Sequence, residues 1–325
     1  MLTQVNFEKL FANEMNEDEA REFLIALYEN GESSSDLAIA ARVMRGYAKE
    51  LTIPDELREK AIDIVGTGGD KSGTFNISSA TALLLASMGC YVAKHGNRSI
   101  TSNSGSADVL EKLGINLNLT TEQQALMLER VGFCFMFAPN HHPSMKHIMP
   151  IRHSIPHRTI FNLLGPLTNP ARVKKYLIGV SEPKFIDIVA NALVDLGIKR
   201  AMVVSSIDNV DEISISTKTK FAFIEDNFVS HGEIDPVELG FKQYQANEVL
   251  GGDSETNARI IKDVFSGIEK GAKRDIIVIN AAFALFVEGS AVDLKEAIFK
   301  VNTALDSNKA MEHLAKIVEF SNSFE

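Results

Sequence analysis

Two hydrophobic spacings divide the chain into an N-terminal part and a longer remainder. Residues 6 to about 60 carry apolar side chains at helical intervals and contain no run typical of a β-strand. One predicted helix contains Phe23 to Tyr28 and ends at Gly31, and another is predicted over 37–51, after a cap cluster at 33–36. The pattern therefore predicts a small helical unit.

From residue 61 onward, short β-rich runs alternate with helical segments. The runs lie near 63–65, 91–93, 133–137, 176–180, 201–205 and 221–224. Helices are predicted at 78–87, 107–113 and 123–131; each stops at a glycine, and the third begins with a Thr121/Gln124 capping box. This alternation is typical of βαβ units and predicts an α/β fold with a central, mainly parallel sheet flanked by helices.

The C-terminal part, 254–320, has an almost entirely helical pattern with breaks at Gly271 and Gly289. Within it, 276–287 fits either a strand or a buried helix, and its length and its Asn280-Ala-Ala run favour a helix.

The stretch 145–170 interrupts the alternation with four prolines and has no strand pattern. We expect it to return to the helical unit, which makes the first domain discontinuous. The predicted division is a small helical domain at 1–62, completed by about 145–172, and a larger α/β domain at 63–144 and 173–325. Since no long linker separates them, we expect the two domains to pack tightly.

A glycine-rich motif follows the first β-rich run. Residues 66–70 read Gly-Thr-Gly-Gly-Asp, and a helix is predicted to open near Ser78. Glycines allow positive φ and close approach of backbone N–H groups to an anion, and a helix N-terminus adds unpaired donors. Lys71 stands where a dinucleotide fingerprint needs its third glycine, and Asp70 separates Gly69 from the lysine that a Walker A loop needs. The motif therefore predicts a different phosphate site, with an ordinary turn as the alternative.

Composition limits the partners. The 325 residues are 45% hydrophobic, as in globular proteins, and the net charge of −10 argues against a general nucleic-acid or anionic-membrane binder. Cys90 and Cys134 lie in apolar surroundings and suggest reduced core thiols. The acidic N-terminus does not resemble a signal peptide, and no apolar stretch reaches the ~18 residues of a membrane helix. We expect a cytoplasmic protein.

A second polar cluster, Lys94–Ser106, directly follows the predicted strand at 91–93. Because the carboxyl ends of parallel strands share one edge of a sheet, this loop and the glycine loop should face the same pocket. Lys94 and Arg98 supply positive charge, and nearby hydroxyl groups can donate hydrogen bonds to phosphate or ribose. The alternative is a polar surface loop.

Asp211 and Glu212 follow the predicted strand at 201–205, again at a carboxyl end. Adjacent carboxylates are usually solvated charges, but Mg²⁺ is commonly held by one or two carboxylates together with substrate phosphates, and Ser78 could complete such a site. The histidines lack a cysteine or carboxylate frame for zinc, and no nucleophilic triad is evident.

Seven motifs occur in order between residues 63 and 214: GTGGD, TFNIS, KHGNRS, SGSADVLE, HHPxMK, RTIFNLLGPLTNP and DEIS. In this combination the chain resembles the anthranilate phosphoribosyltransferase family of tryptophan biosynthesis. The resemblance implies a class II nucleoside phosphorylase-like fold and a homodimer formed through the helical domain. It also implies transfer of the phosphoribosyl group of 5-phospho-α-D-ribose 1-diphosphate (PRPP) to anthranilate, giving N-(5-phosphoribosyl)anthranilate and pyrophosphate.

The resemblance also implies site residues. Those for PRPP are Gly66, Gly69, Asp70, Thr74, Asn76, Ile77, Ser78, Ser79, Lys94, His95, Gly96, Asn97, Arg98, Ser99, Ile100, Thr101, Ser102 and Ser106. Those for anthranilate are Gly66, Asn97 and Arg152, with Arg152 opposite its carboxylate. Those for two Mg²⁺ per subunit are Ser78, Asp211 and Glu212. Lys94 and Mg²⁺ would stabilise the pyrophosphate leaving group, and no covalent catalyst is needed because the amine of anthranilate is neutral near pH 7.

The chain departs from the family pattern at several positions. Lys71 replaces a frequent glycine, Ser79 a usual threonine, and Thr101 and Asn103 the common serine and lysine. Near Arg152, His153 and the Pro156-His157 pair replace the more usual residues, which affects the outer acceptor pocket. Two other functions stay open: a pyrimidine nucleoside phosphorylase, although KHGNR stands where KHSTGG is expected, and a non-catalytic nucleic-acid-binding relative, although the chain is acidic.

Overall fold

The N-terminal helices appear where helical spacing predicts them. The computed structural model describes residues 2–69, 72–98 and 104–324. The first helices are α1 (Leu2–Phe11), α2 (Glu17–Asn30), α3 (Ser34–Gly46) and α4 (Asp55–Lys60). The prediction that α3 continues to residue 51 is wrong. The backbone beyond Gly46 bonds to other segments instead, with Lys49 N–H donating to His141 O and Leu51 N–H to Pro170 O.

Within the described residues the strands form one seven-stranded sheet in the order β3-β2-β1-β4-β5-β6-β7. Its members are β1 (Ile62–Gly66), β2 (Val92–Gly96), β3 (Phe133–Phe137), β4 (Lys175–Gly179), β5 (Arg200–Ser206), β6 (Thr219–Glu225) and β7 (Phe228–Ile234). Strands β1 to β5 pair in parallel, whereas β6 and β7 are antiparallel. The mainly parallel sheet is confirmed, and β7 was not predicted.

Eleven further α-helices follow along the described chain. They are α5 (Ile77–Ser87), α6 (Ser106–Lys112), α7 (Thr121–Val131), α8 (Ala138–His141), α9 (Met145–His153), α10 (Phe161–Leu164), α11 (Ile186–Asp195), α12 (Ser254–Phe265), α13 (Ala272–Glu288), α14 (Leu294–Asp306) and α15 (Lys309–Ser321). Among them, α5, α7, α8, α11 and α13 pack directly on strands of the sheet. The ambiguous 276–287 segment lies inside α13, so it is helical. The predicted capping box is one residue out of position, because Thr120 and Gln123 form it.

The proline-containing segment folds back onto the N-terminal helices. Helix α9 packs against α1 and α2, and α10 packs against α3. An ion pair strengthens this packing: Arg158 donates to both carboxylate oxygens of the buried Glu32, at 2.9 and 2.7 Å. These contacts agree with a discontinuous helical domain, and the exact domain boundaries stay a prediction.

Cys90 and Cys134 are buried free thiols, as the sequence predicts. Burial is the largest cause that raises the pKa of Cys90 to about 12, and it also raises the pKa of Cys134. Both thiols are therefore protonated and unreactive near neutral pH.

Candidate active site

The glycine loop and the acidic pair meet at the carboxyl ends of β1 and β4. Gly66 and Gly179 are register partners at the ends of these strands. The N–H of Gly68 donates to Asp211 Oδ2 at 2.8 Å. Gly68 and Gly69 have φ of 65° and 77°, which an L side chain rarely adopts, so the loop turns here because its residues are glycines.

The N-terminus of α5 reaches the same place. The N–H of Ser78 donates to Glu212 Oε1 at 3.2 Å, and Ser78 Oγ accepts from Lys94 Nζ at 3.2 Å. A carboxylate beside the first turn of a helix is stabilised by the unpaired N–H groups and by the helix dipole. The structure thus joins Ser78, Lys94 and Glu212, which lie far apart in the sequence.

Lys94 lies inside strand β2, not in the loop after it. Its partner across the ladder is Phe135, and its side chain is only 1% exposed. Lys94 Nζ also donates to Ile64 O at 2.5 Å. Burial lowers the pKa of Lys94, while the carboxylates of Asp63, Glu212 and Asp211 oppose that change.

Asp63 is a buried carboxylate on β1, beneath the site. Its Oδ1 accepts from His95 N–H at 3.2 Å, and its Oδ2 accepts from Asn169 Nδ2 at 2.7 Å. Burial raises the pKa of Asp63 to about 6, and the ammonium of Lys94 and these hydrogen bonds limit the rise. Asp63 therefore joins the β2 backbone to the loop that contains Asn169.

Asn76, directly before α5, joins the start of this helix to the second polar cluster. Its Nδ2 donates to Ser104 O at 3.1 Å, and its Oδ1 accepts from Ser104 Oγ at 3.1 Å. Asn257, at the start of α12, donates to the same Oδ1 at 3.0 Å. The N-terminal end of α5 is therefore in direct contact with the second predicted loop.

Arg98 is engaged by acidic residues of α6. Its guanidinium binds Asp108 at 2.8 Å and Glu111 at 2.7 and 2.6 Å. The hydrogen bonds that Arg98 donates to Glu111 and Asp108 hold its pKa above the usual range. A role for this side chain in PRPP binding would use its remaining N–H donors or an exchange of these partners.

Arg152, on α9, is partly buried and contacts an aromatic ring and a thioether. Its guanidinium lies 5.2 Å from the ring centre of Phe161 and donates to Met149 Sδ at 3.4 Å. Burial lowers the pKa of Arg152. In the described residues no carboxylate forms an ion pair with it, so an incoming anion would find an uncompensated charge.

Two histidines near these elements are kept neutral. The rings of His95 and His142 lie 5.1 Å apart. Burial lowers the pKa of His142 to about 4 and lowers that of His95 as well. At neutral pH the pair therefore offers uncharged imidazoles.

The remaining predicted residues take the following places. Thr74 forms a bridge with Leu250, Ile77 and Ser79 are buried in the first turn of α5, Gly96 ends β2, Asn97 O accepts from Ala107 N–H, and Ser106 begins α6. Since the side chains of Ile77 and Ser79 are buried, any ligand contact they make would be through their backbone. Asp70, Ser99, Ile100, Thr101 and Ser102 lie outside the described residues, as do Lys71 and Asn103.

Comparisons with known proteins agree with this arrangement. Residues 58–311 match the glycosyl transferase family, a/b domain. The anthranilate phosphoribosyltransferase of Petrotoga mobilis is 42% identical over 315 residues, covering 97% of this chain and 90% of that protein. The chain belongs to the anthranilate phosphoribosyltransferase family. The family relative from Acetivibrio thermocellus is 45% identical and covers 93% of this chain and 86% of that protein.

Solved structures of this family have the same fold. The Thermus thermophilus anthranilate phosphoribosyltransferase superposes with a TM-score of 0.93 at 36% identity, covering 98% of this chain and 94% of that one. The Saccharomyces cerevisiae enzyme, solved in complex with PRPP and Mg, has a TM-score of 0.87 at 26% identity, and the match covers 99% of this chain and 92% of that one. A search of the described helices finds none with the length and apolar character to span a bilayer.

Three residues that support the site lie outside the recognised motifs, among them Asn280, whose side chain accepts a hydrogen bond from the N–H of Ile213, next to Glu212. Asn257 and Asn280 belong to the C-terminal helices, and Gly179 ends a strand that carries no motif. An asparagine in an apolar helical stretch, as at Asn280, was the available signal. Its hydrogen-bond partner, Ile213, is far away in the sequence, so local sequence does not reveal the contact.

Proposed function

We propose that this chain transfers the phosphoribosyl group of PRPP to the amine of anthranilate, giving N-(5-phosphoribosyl)anthranilate and pyrophosphate in tryptophan biosynthesis. Membership of the family supports the reaction, and the yeast relative was solved with PRPP and Mg. The observation that carries the proposal is the meeting of the glycine loop, Ser78, Lys94 and the Asp211-Glu212 pair at one sheet edge.

For PRPP, the proposed contacts come from the glycine loop, the start of α5 and the polar cluster after β2, to which Asn76 bonds. The positive-φ backbone at Gly68 and Gly69 and the first turn of α5 present N–H groups, which suit phosphate oxygens. Lys94 lies behind Ser78 and acts through its charge, because its ammonium already donates to Ile64 O and Ser78 Oγ.

The donor set at this edge fits Mg²⁺. Asp211, Glu212 and Ser78 offer hard oxygen atoms, and in the part of the chain described no larger cluster of His, Cys, Asp and Glu side chains competes as a metal site. We propose that these residues hold two Mg²⁺ per subunit together with the diphosphate of PRPP. When bound, Mg²⁺ neutralises the charge that develops on pyrophosphate.

For anthranilate, we propose that Arg152 receives the carboxylate and that Gly66 and Asn97 line the acceptor site. The uncompensated, partly buried guanidinium of Arg152 supports this role. The carboxylate would form charge-assisted hydrogen bonds in a partly desolvated place, where such bonds are strongest.

We also propose that two copies associate through the helical domain and that the protein acts in the cytoplasm. Val5 on α1, Tyr28 on α2 and Tyr47 after α3 are exposed apolar side chains of that domain, which supports an interface there. Sedimentation velocity of the purified protein measures the mass, and a monomer at micromolar concentration would contradict the dimer.

One assay tests the reaction. Loss of anthranilate fluorescence is followed with PRPP and Mg²⁺, beside a thymidine phosphorolysis control and a nucleic-acid binding control. The proposal expects signal loss that needs both PRPP and Mg²⁺. No loss at high enzyme concentration would refute it, and phosphorolysis or tight nucleic-acid binding would favour the corresponding alternative.

The acidic pair has its own test. Asp211→Asn combined with Glu212→Gln should abolish turnover or sharply raise the Mg²⁺ requirement, because both anionic ligands become neutral. Glu182→Gln is the control, since Glu182 is a surface residue that pairs with Lys184 in the described structure. Normal Mg²⁺ dependence in the double variant, with an intact fold, would show that the metal assignment is wrong.

A further inference from the structure

Asn280 holds the backbone directly after the acidic pair. Its Oδ1 accepts from Ile213 N–H at 2.9 Å, and its Nδ2 donates to Ile213 O at 2.9 Å. The side-chain amide thus pairs with both polar groups of one residue, as a neighbouring strand would. Nδ2 also donates to Ile276 O at 2.8 Å, one turn earlier in α13.

Asn280 is buried in a closely packed part of the fold. The side chain is 1% exposed, and α13 packs against α5, β4 and β5. A buried amide in such a place must keep its hydrogen bonds, because an unsatisfied buried donor or acceptor costs about 1–3 kcal/mol. The bonds to Ile213 therefore fix the chain one residue beyond Glu212.

Gly179 fixes the other side of the acidic pair. A Cβ at Gly179 would overlap the carbonyl oxygen of Asp211 and lie 3.1 Å from its Cα. A Cβ at Gly66, its register partner, would lie 2.9 Å from Asp211 Cγ. The clash at Gly179 is with backbone, so no change of rotamer relieves it, and Asp211 can lie over β4 only because residue 179 has no side chain.

We propose that Asn280 and Gly179 are positioning residues that set the carboxylates of Asp211 and Glu212 for the metal. The proposal rests on the Mg²⁺ assignment above. Neither residue touches the metal or the substrate in this scheme. They act through the 211–213 backbone, one from α13 and the other from β4.

The test uses Asn280→Asp, Asn280→Ser and Gly179→Ala. Asn280→Asp keeps the shape but sets a carboxylate oxygen against the carbonyls of Ile213 and Ile276. Asn280→Ser removes the pairing without adding charge, and it keeps the test informative where the aspartate variant does not fold. The controls are Asn302→Asp, where Nδ2 also donates one turn back, to Ile298 O, and Gly46→Ala, where a Cβ meets nothing within 4 Å.

Two readouts separate positioning from general destabilisation. Mn²⁺ binding in the presence of PRPP, followed by electron paramagnetic resonance, should weaken about tenfold or more in the Asn280 and Gly179 variants and about twofold or less in the controls. The Mg²⁺ concentration for half-maximal rate should rise similarly, with kcat at saturating Mg²⁺ less affected. A residue that only supports the fold would lower kcat and the melting temperature together.

The outcomes also distinguish the positioning role from the Mg²⁺ assignment on which it rests. If Asp211→Asn with Glu212→Gln binds Mn²⁺ like the unmodified protein, the metal assignment itself fails. If that variant loses Mn²⁺ while folded Asn280→Ser and Gly179→Ala proteins bind it normally, the metal assignment stands and the positioning role is refuted.

Discussion

Replacing Arg152 with glutamine tests whether this cation receives the carboxylate of anthranilate. The guanidinium stacks on Phe161 and has no carboxylate partner among the described residues. A hydrogen bond between charged groups contributes about 1.5–3 kcal/mol, so its loss should raise the KM for anthranilate about 10- to 150-fold. The carboxylate keeps its charge throughout the reaction, so this is uniform binding and kcat should change little.

The folded state should tolerate this change. Burial lowers the pKa of Arg152, which means that folding disfavours its charged form. Glutamine has no charge to bury, but it loses the contact of the guanidinium with Phe161, which contributes about 0.5–1 kcal/mol. The free energy of unfolding should therefore stay within about 1 kcal/mol of its original value. Arg152→Lys keeps the positive charge but loses the planar guanidinium, so its KM for anthranilate should lie between those of the unmodified protein and Arg152→Gln.

The assay is anthranilate fluorescence at saturating PRPP and Mg²⁺, with urea denaturation measured on the same samples. Arg130→Gln serves as the control, because it removes an exposed arginine at the end of α7. An unchanged KM in Arg152→Gln would place the acceptor carboxylate elsewhere. A fall in kcat with unchanged KM would equally contradict the reasoning.

Two further predictions concern stability. Burial lowers the pKa of His142 to about 4, against about 6.5 unfolded, so the unfolded state binds the proton first and stability falls as pH falls through this window. Between pH 7 and pH 5, the free energy of unfolding of His142→Phe, measured by urea denaturation, should therefore fall by about 2 kcal/mol less than that of the unmodified protein. Equal falls would contradict the assignment. The raised pKa of Asp63 changes stability in the opposite direction over this range, but it is common to both proteins. Glu32→Gln should lower the free energy of unfolding by about 2–4 kcal/mol, because it leaves Arg158, which is 26% exposed, without its buried partner. The control Glu182→Gln should lower it by less than about 1 kcal/mol, because Glu182 is at the surface. Equal decreases would show that burial adds nothing to the Glu32–Arg158 pair.

The sequence predicts the elements of this fold that have strong local periodicity. The parallel strands β1 to β5 are apolar runs bounded by glycines and helices, so they were found within a residue or two, apart from the end of β2. Strand β7 was missed because it lies at the sheet edge with most of its side chains partly or fully exposed, and so carries little hydrophobic pattern.

Lys94 shows why burial is harder to predict than position. Lysine and histidine after an apolar run suggest a loop, yet both residues lie in β2, because pairing with β3 continues to Gly96. A buried ammonium is possible only where the fold supplies acceptors and carboxylates, here Ile64 O, Ser78 Oγ and Asp63. Those partners come from other elements, so local sequence does not reveal them.

The charges around Lys94 also bear on the metal. The carboxylates of Asp63, Glu212 and Asp211 all act to raise the pKa of Lys94, so the two proposed metal ligands belong to one electrostatic group with this buried ammonium. Two Mg²⁺ held side by side repel each other, and the diphosphate of PRPP is the anion that would offset this repulsion. The proposed second Mg²⁺ should therefore depend on PRPP, and the positions of Asp211 and Glu212 matter most for the first.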